Sequence, residues 1–289
     1  MKFEISNEET SPARISAGIS EEMKITGITL LLIVSVACGQ RSSNVVTTAP
    51  SNNSVSASTP PVSANGLQTV TIDSPDGVKL VGSLLDSGKP DSPPLLLLHQ
   101  WQSDRHSYDE FAKRMQTTGF TVLSIDGRGF GESTRKSDGT SVTAGRSDAD
   151  VKAMLGDVGA AIDFLKKQKN VDASKIGIVG ASYGSSLAII YAADHPDVKA
   201  VALLSPGLNY FGNMPVAPAV EKDVENDLLL FAAEDDKESA DAVRKLTSEK
   251  SDSRRSPKIY PSGGHGTALF KVGAGDELER FFTEALRKK

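Results

Sequence analysis

The chain has 289 residues, enough for one large domain or two ordinary ones, and its 38% hydrophobic and 24% charged content supports a sizeable globular core. The formal net charge of -5 argues against a nucleic-acid role built on phosphate neutralisation. A single cysteine excludes an internal disulfide and any cysteine-rich zinc site, and the four histidines, His99, His106, His195 and His265, form no metal-ligand cluster in the sequence.

In chain order, residues 1–22 are polar and acidic, unlike the basic start of a signal, so an export segment is expected to begin at Met23. The stretch "MKITGITLLLIVSVACGQRSSN" carries Lys24, an apolar run from Ile28 to Ala37, and small residues before Cys38. That is the layout of a secretory signal peptide. The run is too short to span a bilayer. "SVAC" also resembles a bacterial lipobox, although Ser35 stands where an aliphatic residue is usual. The resemblance implies that Cys38 becomes the acylated first residue of the mature chain and anchors it to the cell envelope. A plain signal peptide with an incidental cysteine is the alternative. From Gln40 to Asn65, Ser, Thr, Asn, Pro and Ala dominate with no apolar period, which predicts a flexible tether. The expected divisions are 1–37 for the extension and signal, 38–65 for the anchor cysteine and tether, and 66–289 for one folded domain.

The pattern changes at Gly66. "LQTVTI" and "VKLVGSLL" predict two antiparallel strands around the turn "SPDG". "PPLLLLHQ", "FTVLSIDG", "KIGIVGAS", "VKAVALLSPG", "NDLLLFAAEDD" and "SPKIYPSGG" are short, dense apolar runs, as in strands buried on both faces. Helical patterns separate them: "SYDEFAKRMQTTG", "SDADVKAMLGDVGAAIDFLKKQKN", "YGSSLAIIYAADHP", "KESADAVRKLTSEK" and "GDELERFFTEALRKK". Strands alternating with helices predict an α/β fold, a doubly wound and mostly parallel sheet with an antiparallel edge.

Gly180-Ala181-Ser182-Tyr183-Gly184 has the G-x-S-x-G pattern of a nucleophile elbow. Alone it is a weak signal. Its context strengthens it, because a strand precedes it and a helix follows at once. Ser182 then stands at a helix N-terminus, where free backbone N–H groups favour developing negative charge. A serine hydroxyl needs a base. His265 follows in the glycine-rich loop "PSGGHGT", after the last strand. A third group must orient the imidazole and stabilise it when charged. The strand "NDLLLFAA" ends in Glu234, Asp235 and Asp236, and spacing alone does not choose among them. The order serine, acid, histidine is that of the α/β-hydrolases.

These motifs together resemble the α/β-hydrolase superfamily, and within it the lid-less dienelactone-hydrolase-like or esterase-like members. The resemblance runs from about residue 68 to the end. "LLLLHQW" stands at the family's HG-x motif, and "DGRGFGES", Asp126 to Ser133, at its D-x-R-G-x-G-x-S turn. The resemblance implies that Asp236 is the acid, with Asp235 second. It implies an oxyanion hole made by the backbone N–H groups of Tyr183 and of Trp101, or alternatively Gln100, and no cofactor or metal. Two departures stand out. Gln100 occupies the place of the glycine in HG-x. Dienelactone hydrolases also use a cysteine nucleophile, so their substrate is not carried over.

"DGRGFGES" is not a dinucleotide loop, because Glu132 takes the place of the last glycine in G-x-G-x-x-G. Asp126 and Arg128 are expected to fix loops near the pocket, and His99 to make a structural hydrogen bond. Trp101 either lines the pocket or packs. "LNYFGNMPVAPAVEKDVEN" is too short for a substantial cap, so an open site for small or exposed acyl esters is expected, with Tyr210, Phe211 and Met214 at its rim or in the core. The partners implied are a small-molecule ester and, through Cys38, a membrane. A peptidase, amidase or thioesterase fits the same triad, since fold does not fix substrate. A non-catalytic binding protein is disfavoured, because nucleophile, acid and base are all present in order.

Overall fold

The dense apolar runs become an eight-stranded sheet. The computed structural model describes residues 66–222, 226–248 and 254–287. The expected export segment, Cys38 and the expected tether at 40–65 lie outside the described residues. The strands are β1 (Leu67–Asp73), β2 (Lys79–Leu85), β3 (Pro94–Leu98), β4 (Thr121–Ile125), β5 (Ile176–Ala181), β6 (Val198–Leu204), β7 (Asn209–Tyr210), β8 (Met214–Pro215), β9 (Asp227–Ala233) and β10 (Arg255–Tyr260). The helices are α1 (Asp109–Thr118), α2 (Asp148–Lys166), α3 (Tyr183–Ala192), α4 (Val216–Lys222), α5 (Lys237–Ser248) and α6 (Ala274–Arg287).

The sheet order is β1-β2-β4-β3-β5-β6-β9-β10. β1 and β2 pair antiparallel, β2 pairs antiparallel with β4, and every pair from β4 to β10 is parallel. This is the mostly parallel α/β sheet that the sequence predicts. Side chains on a strand alternate between faces. Leu96 and Leu98 of β3 therefore join the core beneath α2 and α3, while Leu95 and Leu97 join the core beneath α1 and α6. Both faces are covered, which is why these strands read as unbroken apolar runs.

Successive strands leave β3 in opposite directions, β4 to one side and β5 to the other. In such sheets the crevice at the carboxyl ends of the strands, where the order reverses, is the natural ligand site. His99 to Trp101 follow β3, Ser182 follows β5, Ser205 follows β6, and Asp236 follows β9 on that edge.

Two buried ion networks lock the loops around this edge. The Asp126 carboxylate accepts the backbone N–H of Arg105 at 2.7 Å and of Glu132 at 2.8 Å, and it pairs with the Arg105 guanidinium. Arg128 grips Asp157 of α2 at 2.6 and 2.7 Å and Asp76 of the β1–β2 turn at 2.7 and 3.0 Å. Between β6 and β9 the chain forms the two-stranded β7–β8 hairpin and the 7-residue α4. The sequence pattern gives no sign of these elements, because each is too short to show a period. Among the described residues there is no large cap. Among the described residues, no helix is long and apolar enough to cross a membrane.

Candidate active site

Ser182 links β5 to α3 with φ 53° and ψ −123°. This is costly for a non-glycine residue, of order 1–3 kcal/mol, and persists only when the surroundings hold it. They do so here: the Ser182 N–H donates to the Leu204 carbonyl at 2.8 Å, and its own carbonyl accepts the Ser185 N–H at 2.8 Å. The glycines of the motif serve close approach. A Cβ at Gly180 would lie 2.1 Å from the Gly184 carbonyl oxygen. One at Gly184 would lie 2.7 Å from the carbonyl oxygens of Leu98 and His99. Ser182 is 7% exposed.

The three acids after β9 separate cleanly. Asp236 Oδ2 meets His265 Nδ1 at 2.7 Å. The Asp235 carboxylate accepts the backbone N–H groups of Gly263 and Gly264 at 3.1 Å, and those bonds hold it below the usual carboxylate range. Glu234 pairs with Arg244. The His265 side chain is 42% exposed and that of Asp236 14%, so the imidazole faces solvent while its partner is sheltered.

The His265 loop is tied to the elbow by neighbours on each side. The Gly266 N–H donates to Ser205 Oγ at 2.9 Å, and Ser205 follows the Leu204 carbonyl that holds Ser182. A Cβ at Gly266 would touch the Ala181 Cβ at 3.6 Å. The residue after His265 thus packs on the residue before Ser182. Gln100 adds a second tie. Its Oε1 accepts from Thr267 N at 3.2 Å and from Thr267 Oγ1 at 3.0 Å. The departure from glycine in HG-x therefore joins the loop after β3 to the His265 loop.

His99 is buried, with both ring nitrogens engaged. The Gly127 N–H donates to Nε2 at 2.9 Å, which leaves the ring proton on Nδ1, where it donates to the Gln100 carbonyl at 2.7 Å. Burial lowers the imidazole's proton affinity, and the ring stays neutral. The peptide between Gln100 and Trp101 is trans, so its N–H points opposite to its C=O. Fixing the Gln100 carbonyl thereby aims the Trp101 N–H away from the His99 ring. The Tyr183 N–H begins α3 and has no intrahelical acceptor.

Trp101 both packs and borders the site. Its ring meets Phe130 at 4.8 Å, Tyr183 at 5.3 Å and Phe211 at 4.8 Å, all edge to face. Of the three residues expected at the rim or in the core, Met214 is core, with no exposed surface. Tyr210 reaches Ser182. Its hydroxyl donates to the Ser205 carbonyl at 3.0 Å. Burial pushes its phenol up, and the neighbouring Ser182 and Ser239 hydroxyls pull it back. The sequence carries no sign of the roles of Ser205 and Gln100, since hydrogen bonds between distant loops leave no local pattern. Among the described residues, no group of His, Cys, Asp and Glu is placed to hold a metal ion.

Residues 93–257 match the alpha/beta hydrolase fold family, and the chain belongs to it. The AB hydrolase superfamily protein YisY of Bacillus subtilis is 27% identical over 161 residues, which is 54% of this chain and 54% of the relative. The chain thus matches about half the length of that curated relative. Among solved structures, an esterase of Pyrococcus furiosus superposes with a TM-score of 0.59 at 17% identity, over 76% of this chain and 91% of that one. A dienelactone hydrolase of Anabaena variabilis superposes with a TM-score of 0.56 at 20% identity, over 76% of this chain and 99% of that one. These likenesses establish a shared fold.

Proposed function

We propose that this α/β-hydrolase is a serine carboxylesterase acting through an acyl-enzyme, with Ser182 as nucleophile, His265 as general base and Asp236 as the acid that orients it. The observation that carries the proposal is the 2.7 Å His265–Asp236 pair on the loop that packs against the strained Ser182 turn. Ser182 Oγ attacks the ester carbonyl while His265 takes its proton, and Asp236 stabilises the imidazolium that forms. The oxyanion is held by the N–H groups of Tyr183 and Trp101, the second aimed by His99. Removing one such donor costs roughly 3–4 kcal/mol in known cases. His265 then gives its proton to the departing alkoxide. Water, activated by the same histidine, attacks the acyl carbonyl and releases the acid. No cofactor or metal enters these steps.

The small β7–β8 hairpin and short α4, with the half-exposed His265, support small or solvent-exposed acyl esters as substrates. A panel of short aryl esters, long-chain triglycerides, anilides and thioesters tests this. Esters are expected to be cleaved most efficiently, with Ser182→Ala inactive. Faster cleavage of long-chain triglycerides, or of the anilides, would overturn it. The same proposal places the domain outside the cell. The signal-like run before Cys38 supports export and lipid anchoring through Cys38, with residues 38–65 as tether and 66–289 as catalytic body. N-terminal analysis of the exported protein is expected to begin at an acylated Cys38, and a mature chain that begins earlier would exclude the anchor.

A further inference from the structure

Arg146 lies between β4 and α2, far in sequence from the elbow. Its guanidinium carbon sits 4.7 Å from the Trp101 ring centroid and 4.9 Å from that of Phe211. Trp101 carries the proposed oxyanion N–H, and Phe211 follows Tyr210, whose hydroxyl neighbours Ser182. A positive charge is thus held over two rings at the mouth of the proposed site.

The backbone around this arginine is fixed from both directions. Asn213 Nδ2 of the β7–β8 turn donates to the Arg146 carbonyl at 2.9 Å. Ser147 then starts α2 with a capping box to Asp150. The nearby carboxylates have other partners. Asp148 Oδ1 accepts the same Asn213 amide at 2.9 Å, and Asp150 Oδ2 accepts the Ser147 N–H at 2.9 Å. Arg146 is exposed and makes no salt bridge among the described residues. A cation held over ring faces spends none of its N–H groups on a carboxylate, and the Arg146 side chain makes no hydrogen bond among the described residues, so its N–H fork remains available to a planar anion. The two rings also restrain a side chain that would otherwise lose much rotamer freedom on binding.

We propose that Arg146 recognises a free carboxylate carried by the substrate, so that the preferred esters bear a second, ionised carboxyl group. This rests on the serine-esterase proposal and names the substrate class of the same site. The fork of an arginine matches a carboxylate with two parallel hydrogen bonds. An ester carbonyl bound at the Trp101 N–H would be separated from the Arg146 charge by the Trp101 side chain, over whose ring that charge lies. A spacer of several carbons between ester and carboxylate fits that span, as in a monoester of a dicarboxylic acid or an acylated hydroxy acid.

The test compares kcat/KM within two matched pairs on the intact protein. One pair is p-nitrophenyl hydrogen adipate and p-nitrophenyl hexanoate, with the charge on the acyl side. The other is 4-acetoxybenzoate and 4-acetoxybenzamide, with the charge on the leaving group. Wild type is expected to favour the anionic member of at least one pair by tenfold or more, chiefly through KM, with the preference shrinking in 0.5 M salt. R146Q is expected to lose at least tenfold of that ratio. R146K is expected to fall between, since an ammonium keeps the charge without the fork. If R146Q loses its cooperative melt, R146K and the salt dependence carry the same test. No anionic preference in wild type, or one that survives both R146Q and salt, overturns the assignment. Ser182-dependent cleavage of the neutral esters with no charge preference sinks the arginine site and leaves the esterase intact. No cleavage of any of the four sinks both.

Discussion

Asp236→Asn and Asp235→Asn alter adjacent carboxylates that the structure puts to different uses. Asp236 faces His265 Nδ1 at 2.7 Å. In the proposed mechanism the imidazole becomes charged in the transition state, with the two charge centres about 4 Å apart, worth about 4 kcal/mol at an effective dielectric near 20. The His265 side chain is 42% exposed, so water screens part of this. About 3 kcal/mol remains, or roughly a hundredfold in rate. Loss of tautomer control adds to it, since an asparagine can donate to Nδ1 and turn the proton arrangement round. The expected loss in kcat for Asp236→Asn is therefore between about 10²- and 10⁴-fold. Asp235→Asn keeps an oxygen for Gly263 or Gly264 and is expected to cost less than about tenfold. Initial rates on p-nitrophenyl butyrate, with KM and kcat resolved, decide the matter. Equal and mild losses, or a larger loss for Asp235→Asn, would refute the assignment of the acid.

Three other expectations follow from the same geometry. Gln100→Ala removes both acceptor bonds to Thr267 and is expected to lower kcat about tenfold with little change in KM, while Gln100→Glu, which keeps an acceptor oxygen, recovers most of it; a KM effect alone would place Gln100 on the substrate and not on the His265 loop. His99 binds a proton less readily folded than unfolded, so its contribution to stability is complete above the ordinary imidazole value of about 6.5 and declines as pH falls below it, by at most about 1.4 kcal/mol per pH unit. Urea melts at pH 7.5 and 5.5 are expected to differ less in His99→Gln than in wild type, and an unchanged difference would show that the ring is not held neutral. Arg128→Met leaves the buried Asp157 carboxylate without its bidentate partner and is expected to cost about 3–5 kcal/mol in denaturant unfolding; a loss under 1 kcal/mol would mean the network is dispensable.

The strands were legible because both sheet faces are covered. Leu95 to Leu98 form an unbroken apolar run for that reason, and so do Leu228 to Ala233. The elbow was legible because Gly180 and Gly184 are forced by carbonyl oxygens close to their α-carbons, and such contacts leave a local signature. The choice among Glu234, Asp235 and Asp236 could not be made from spacing, because it depends on which carboxylate the distant 263–265 loop meets. Gln100 looked like a mere departure from a motif. Its use appears only when Thr267, far along the chain, is brought beside it. Arg146 carried no pattern at all, since a cation over two rings is made by three separate loops. Main-chain periodicity is written locally, whereas the ties that position a site are tertiary.

The central claim is that Ser182 is an activated nucleophile. Treating the folded protein with a fluorophosphonate probe and mapping the labelled peptide tests it most directly. The expected result is a single phosphonylated residue at Ser182, absent in Ser182→Ala and strongly slowed in His265→Ala, since the pair acts as a unit. Folded wild-type protein that takes no label, or a label that persists in Ser182→Ala, would contradict it.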